Sequence, residues 1–104
     1  MVIIQGNTYR YPIQLKMGGK YITDKDVKKI EFSFGDIKKF YPSKDVTFDG
    51  SCFIVSLLQN DTFSLPTMKI CKYQARVLFN DDSVKSTTPK EFAVVETESK
   101  EVLE

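Results

Sequence analysis

The stretch Cys71-Lys72-Tyr73-Gln74-Ala75-Arg76-Val77-Leu78-Phe79 sets the fold class. Cys71, Tyr73, Ala75, Val77 and Phe79 hold every second position, with Lys72, Gln74, Arg76 and Leu78 between them. Successive side chains of a strand point to opposite faces, so this spacing gives a long strand with one apolar face. Asn80-Asp81-Asp82-Ser83 supplies turn-forming side chains after it. Val84 opens a return strand that Phe92 and Val94 continue beyond Pro89. A proline has no N–H to give a ladder, so Pro89 suits an edge or a bulge.

The same period recurs upstream. Tyr9, Tyr11, Ile13 and Leu15 alternate with Thr8, Arg10, Pro12 and Gln14, a half-buried strand whose Pro12 again favours an edge. Val2 to Gln5 is a short apolar run suited to an extra edge strand, and Gly18-Gly19 marks a turn. Ile30, Phe32 and Phe34 define a strand ending at Gly35-Asp36. Ile37 to Tyr41 defines another, closed by Pro42-Ser43. Asp49-Gly50 suits a two-residue type I′ turn, which pairs Phe48 with Ser51, Val46 with Phe53 and Lys44 with Val55. Val46, Phe48, Phe53, Val55 and Leu57 then share one face, and Thr47, Cys52 and Ile54 the other. Residues 59–66 read as a polar corner. No window sustains a helical period; the most helical stretch is one turn over Asp24 to Lys28, capped by Thr23 or Asp24. The expected fold is all-β, an antiparallel β-sandwich of about seven short strands. It fills one domain over residues 1–95. Residues 96–104, rich in Glu and Lys, are expected as a flexible tail or the start of a linker.

Composition narrows the function. The chain has 104 residues, 41% hydrophobic and 28% charged, enough for one core without metals or disulfides. Fifteen basic residues meet 14 acidic ones, a net charge of +1. Lysines and acids interleave over residues 23–29, unlike the basic stripe of a nucleic-acid binder, so no nucleic-acid partner is expected. No apolar run approaches the roughly 20 residues of a membrane span. The opening Met-Val-Ile-Ile-Gln-Gly-Asn is unlike a secretory signal, so a reducing cytoplasm is the expected site of synthesis, with Cys52 and Cys71 as reduced thiols.

There is no histidine, the commonest general base and metal ligand. Two thiols alone do not make a structural zinc site. Asp24, Asp26, Asp36, Asp45, Asp49, Asp61, Asp81 and Asp82 fall at turns and loop tips, where aspartate serves local hydrogen bonding. No catalytic residue, metal or cofactor is expected, and the chain does not read as an enzyme. Two surface features each carry two readings. Lys72, Gln74 and Arg76 form a polar stripe that is either a solvated face or an assembly surface. Tyr21 and Tyr41, near turns, are either exposed aromatics of a binding surface or rings folded over the ends of the fold.

Tyr73-Gln74-Ala75-Arg76-Val77 resembles the sixth strand of an immunoglobulin-type sandwich, with Ala75 where a disulfide-bonded cysteine would sit and Tyr73 as a candidate tyrosine-corner residue. Three longer runs, 23–32, 53–62 and 73–87, extend the likeness over most of the chain. Together they resemble the N-terminal domain of the phage baseplate upper protein family of phages and prophages of Gram-positive bacteria. The best words are SLLQNDT (56–62) and KYQARVLFNDDSVKST (72–87). The resemblance implies an immunoglobulin-like virion structural protein, assembled in the host bacterial cytoplasm. It would anchor a receptor-binding assembly on the tail tip through contacts with other phage tail or baseplate proteins, or as a homo-oligomer. Family members are usually longer, with a linker and a distal domain. The strands Tyr9 to Leu15 and Val84 to Val95 are the expected edges for strand addition. The alternative is a carbohydrate- or cell-surface-binding module that stacks ligands on Tyr21 and Tyr41.

Overall fold

Alternating patterns of this kind become strands wherever their apolar sides can be covered. The computed structural model describes residues 1–104 and is 49% strand and 5% helix, so the fold is all-β. In chain order the elements are β1 (Val2–Ile4), β2 (Tyr9–Ile13), β3 (Lys16–Met17), β4 (Lys20–Tyr21), β5 (Val27–Phe34) and β6 (Ile37–Tyr41). Then follow β7 (Val46–Phe48), β8 (Phe53–Leu57), α1 (Gln59–Phe63), β9 (Cys71–Phe79), β10 (Val84–Ser86) and β11 (Lys90–Val95).

The larger sheet runs β1-β11-β9-β5-β6, with β10 also paired to β9; a second sheet runs β2-β8-β7, and β3 and β4 form a small hairpin. The strand that opened the sequence argument, β9, lies at the centre of the larger sheet, between β5 and β11. β10 and β11 are one return strand interrupted at Thr87–Pro89. Ser86 pairs Arg76 but Lys90 pairs Tyr73, so one residue is extruded there. Thr87 closes the gap. Its N–H donates to the Ala75 carbonyl at 2.9 Å and its Oγ1 accepts the Ala75 N–H at 3.0 Å.

The two sheets meet face to face through aromatic rings. Phe32 of β5 and Phe53 of β8 have centroids 6.1 Å apart, and Tyr11 of β2 lies over Phe34 of β5 at 6.0 Å. Ile3, Ile30, Phe32, Phe34, Val46, Phe53, Val55, Leu57 and Val77 are fully or almost fully buried in this layer. Each such side chain contributes about 1.5–3 kcal/mol relative to exposure. The buried set is the one that the alternation picks out in β5, β8, β9 and β11.

Several details depart from the sequence expectation. The β7–β8 register pairs Phe48 with Phe53 and Val46 with Val55, two residues from the expected pairing. The loop is Asp49–Cys52 rather than two residues, because Asp49 Oδ1 accepts the N–H groups of Ser51 (2.8 Å) and Cys52 (2.7 Å) and its own N–H donates to the Cys52 carbonyl at 3.0 Å. A two-residue shift keeps side chains on their faces, so Val46, Phe53, Val55 and Leu57 remain buried and Phe48 half-buried. Asp24 to Lys28 is not a helical turn. Asp26 N–H bonds the Thr23 carbonyl in a tight turn and β5 starts at Val27. The one helix lies instead in the polar corner. Val84 to Val95 is only partly an edge, because β1 runs parallel to β11 and covers it, with Val2, Ile3 and Ile4 opposite Ala93, Val94 and Val95. β2 is an edge, with Pro12 in it. Tyr73 does not form the corner bond. Its ring lies 6.1 Å from both Phe34 and Phe92, and that aromatic contact fixes it instead.

Candidate functional site

The acids divide into turn formers and one bridging pair. Asp49 receives N–H bonds from Cys52 and Ser51, and these hold its carboxyl below the usual carboxylate range. The Ser83 hydroxyl and N–H do the same for Asp81, and the Thr23 N–H, with help from Lys20, for Asp26. Asp45 and Asp61 are different. They converge on Lys39 Nζ at 3.5 and 2.9 Å. Lys39 lies opposite Phe32 in the β5–β6 register, so its side chain turns inward and is nearly buried. Asp61 also accepts the Leu58 N–H at 2.8 Å, which fixes the first turn of α1. This lysine joins the edge of one sheet to the corner of the other. No group of three His, Cys, Asp or Glu side chains is placed to hold a metal ion. Cys52 lies in the β7–β8 loop and Cys71 in the core, both as free thiols.

The stripe on β9 is divided. Lys72 and Arg76 are exposed on the outer face, and Arg76 Nη1 lies 4.0 Å from Glu31 Oε1. Gln74 is half-buried because its Nε2 donates to the Thr87 carbonyl at 2.9 Å. It therefore holds the interrupted return strand and is less free for a partner than its neighbours. The two tyrosines also part. Tyr21 is 53% exposed on β4, with Lys16 Nζ 5.2 Å from its ring centroid. Tyr41 packs edge-on against Phe53 at 5.0 Å, so its ring belongs to the core.

One surface escaped sequence reasoning. Ile3, Phe92 and Val94 face inward, which turns Val2, Ile4, Ala93 and Val95 outward as two directly opposed cross-strand pairs. Ile70, one residue before the Cys71–Phe92 pair of β9 and β11, is also exposed. Val2, Ile4, Val95 and Ile70 are 55%, 40%, 46% and 65% exposed. Contiguous exposed apolar surface on a small domain marks a contact site more often than chance. The free rim of β1 is partly occupied: the Ile4 N–H donates to the Tyr9 hydroxyl at 3.0 Å and the Ile4 carbonyl accepts the Asn7 N–H at 3.2 Å. The apolar letters of 2–4 and 92–95 are visible in the sequence, but only the parallel β1–β11 pairing brings them side by side.

The corner around α1 is the most densely bonded part of the surface. Thr62 is fully buried; its Oγ1 accepts the Gly6 N–H at 2.8 Å and donates to the Asn7 carbonyl at 2.9 Å. Gln5 Nε2 donates to the Leu65 carbonyl at 3.0 Å. The segment expected as a loose tail folds back onto this corner. Gln59 Nε2 donates to the Leu103 carbonyl at 2.7 Å, its Oε1 accepts the Leu103 N–H at 2.8 Å, and Lys100 Nζ donates to Gln5 Oε1 at 2.7 Å.

No protein-family model, curated protein or solved structure matches this chain. No helix is long and apolar enough to cross a membrane.

Proposed function

We propose that the chain is a non-enzymatic structural module of a phage or prophage tail or baseplate, an immunoglobulin-like sandwich that works in the virion through protein–protein contacts. The observation that carries this reading is the outward apolar strip of Val2, Ile4, Ala93 and Val95 at one rim of the larger sheet. Such a strip gains free energy when a partner surface removes it from water. The strand order supports the immunoglobulin-like part of the proposal. β2-β8-β7 takes the places of strands B, E and D, and β5, β9 and β10/β11 those of C, F and G, with β6 as the added C′ strand. In that correspondence β10 and β11 count as one strand, and β3–β4 is an insertion before strand C. SLLQNDT then falls at the E–F corner, and Ala75 is buried on strand F.

Immunoelectron microscopy tests the proposal directly. Antibody against the chain should label the tail tip of particles released by cells that make it. Absence of label from every particle, together with glycan-array hits, would replace this reading with the carbohydrate- or surface-binding one. That rival rests on Tyr21 alone, since the Tyr41 ring is spent on Phe53. Val95→Lys should leave folding intact, because Val95 faces out, and should abolish incorporation into particles.

A further inference from the structure

The 97–104 segment is held by one side-chain bond to the body, from Lys100 to Gln5, and by a clamp on its backbone. Gln59 reads the N–H and C=O of Leu103 with its side-chain amide, the pair of bonds a neighbouring strand would make. The Leu103 side chain is 78% exposed and contributes nothing to the core. No backbone–backbone hydrogen bond joins residues 97–104 to the body. Between segment and body a cavity of about 170 Å³ remains, lined by Gln5, Gly6, Phe63 and Thr97 among others. The seat itself is rigid, because Thr62 locks the Gln5–Asn7 loop to α1.

We infer that this corner is an exchangeable docking site whose occupant in the assembled state is the 97–104 segment of a second copy of the chain. The inference rests on the assembly reading and names the partner. Three observations support exchange. A second copy presents the identical backbone to Gln59, so exchange conserves every contact made within one molecule. Glu96 to Val102, seven residues, spans up to about 23 Å when extended, enough to cross to a neighbour packed against the rim. The segment leaves the body directly after Val95, which belongs to the exposed apolar strip. Exchange alone gains nothing, but burial of the two strips against each other supplies the driving force.

The test uses two full-length variants. Gln59→Ala keeps the segment and loses the clamp; Leu103→Pro keeps the clamp and removes the N–H that Gln59 accepts. Neither position belongs to the core. Self-association is followed by analytical ultracentrifugation. The clamp is made within the monomer as well as across the exchanged pair, so each variant alone loses it from both states and should associate like the unaltered chain. A 1:1 mixture gains one clamp that neither monomer can make, from the Gln59→Ala segment to the Leu103→Pro seat, and should pair about tenfold more tightly than either variant alone. The inference is overturned if the mixture associates no better than the separate variants. A mixture no tighter than the variants would leave strip-driven assembly standing; the inference is equally overturned if the unaltered chain is monomeric at millimolar concentration. That last result leaves assembly with other tail proteins to the particle-labelling test.

Discussion

Thr62→Val removes one buried hydroxyl and changes shape hardly at all. In the folded chain that hydroxyl bridges α1 to the β1–β2 loop, accepting from Gly6 at 2.8 Å and donating to Asn7 at 2.9 Å. Valine leaves the Gly6 N–H facing a methyl group at a position with no solvent exposure. An orphaned buried donor costs about 1–3 kcal/mol. The Asn7 carbonyl can turn to water, since Asn7 is exposed, so the expected loss is about 2 kcal/mol. Thr62→Ser is the complementary change: it keeps both hydrogen bonds and deletes one methyl group, worth about 0.8 kcal/mol of burial. Urea unfolding followed by far-UV circular dichroism, or by tyrosine fluorescence in a chain with five Tyr and no Trp, measures both. At about 4–8 °C per kcal/mol for a domain of this size, the valine variant should melt about 8–16 °C below the unaltered chain. A valine variant within 0.5 kcal/mol of the unaltered chain, or a serine variant that loses more than the valine one, refutes the reasoning. The corner would then be held by packing and not by its hydrogen bonds.

Val77→Ala should cost about 1–3 kcal/mol in the same assay, since Val77 is fully buried at the centre of the larger sheet. Hydrogen bonds from Thr23, from Cys52 and Ser51, and from Ser83 hold the carboxyls of Asp26, Asp49 and Asp81 below the ordinary carboxylate range in the folded chain. The stability they contribute is present above the unfolded pKa and lost as pH falls through the folded ones. The urea midpoint should therefore drop below about pH 4, and the drop should be smaller in a triple Asp→Asn variant. Burial, with a lesser contribution from Tyr9, pushes the Tyr11 hydroxyl up to about 12. The unfolded chain then releases this proton first, so stability should fall as pH rises from 10 to 12, and less steeply in Tyr11→Phe.

The central strands were legible because their side chains are sorted by burial alone. In β8, in β9 and in β5 from Ile30 onward every second residue is apolar, and the observed burial follows that spacing. What stayed hidden depends on contacts distant in sequence. α1 has five residues and no apolar period; it exists because Asp61 ties to Leu58 and Lys39 and because Thr62 reaches Gly6 and Asn7. The β7–β8 register turned on how the Asp49 carboxylate wraps its loop, a choice the Asp-Gly dipeptide leaves open. The outer strip needed the pairing of β1 with β11, some ninety residues away, and local pattern says nothing of that. Lys72, Gln74 and Arg76 alternate along β9, but the bond from Gln74 to Thr87 depends on the interrupted return strand and leaves no mark in the local pattern.

Lys39 has a further consequence for growth of the sheet. β6 is a terminal strand of the larger sheet, and its central residue is a lysine drawn inward between two carboxylates. Inward charge and flanking lysine such as Lys38 make a poor template for another chain. The opposite terminus, at β1, lacks such protection at Val2. A sheet extendable at one end only can join end to end with a twin, and the union then presents β6 on both sides. Pairing of two copies through β1 would then leave only β6 rims on this sheet and no route to an open-ended fibre.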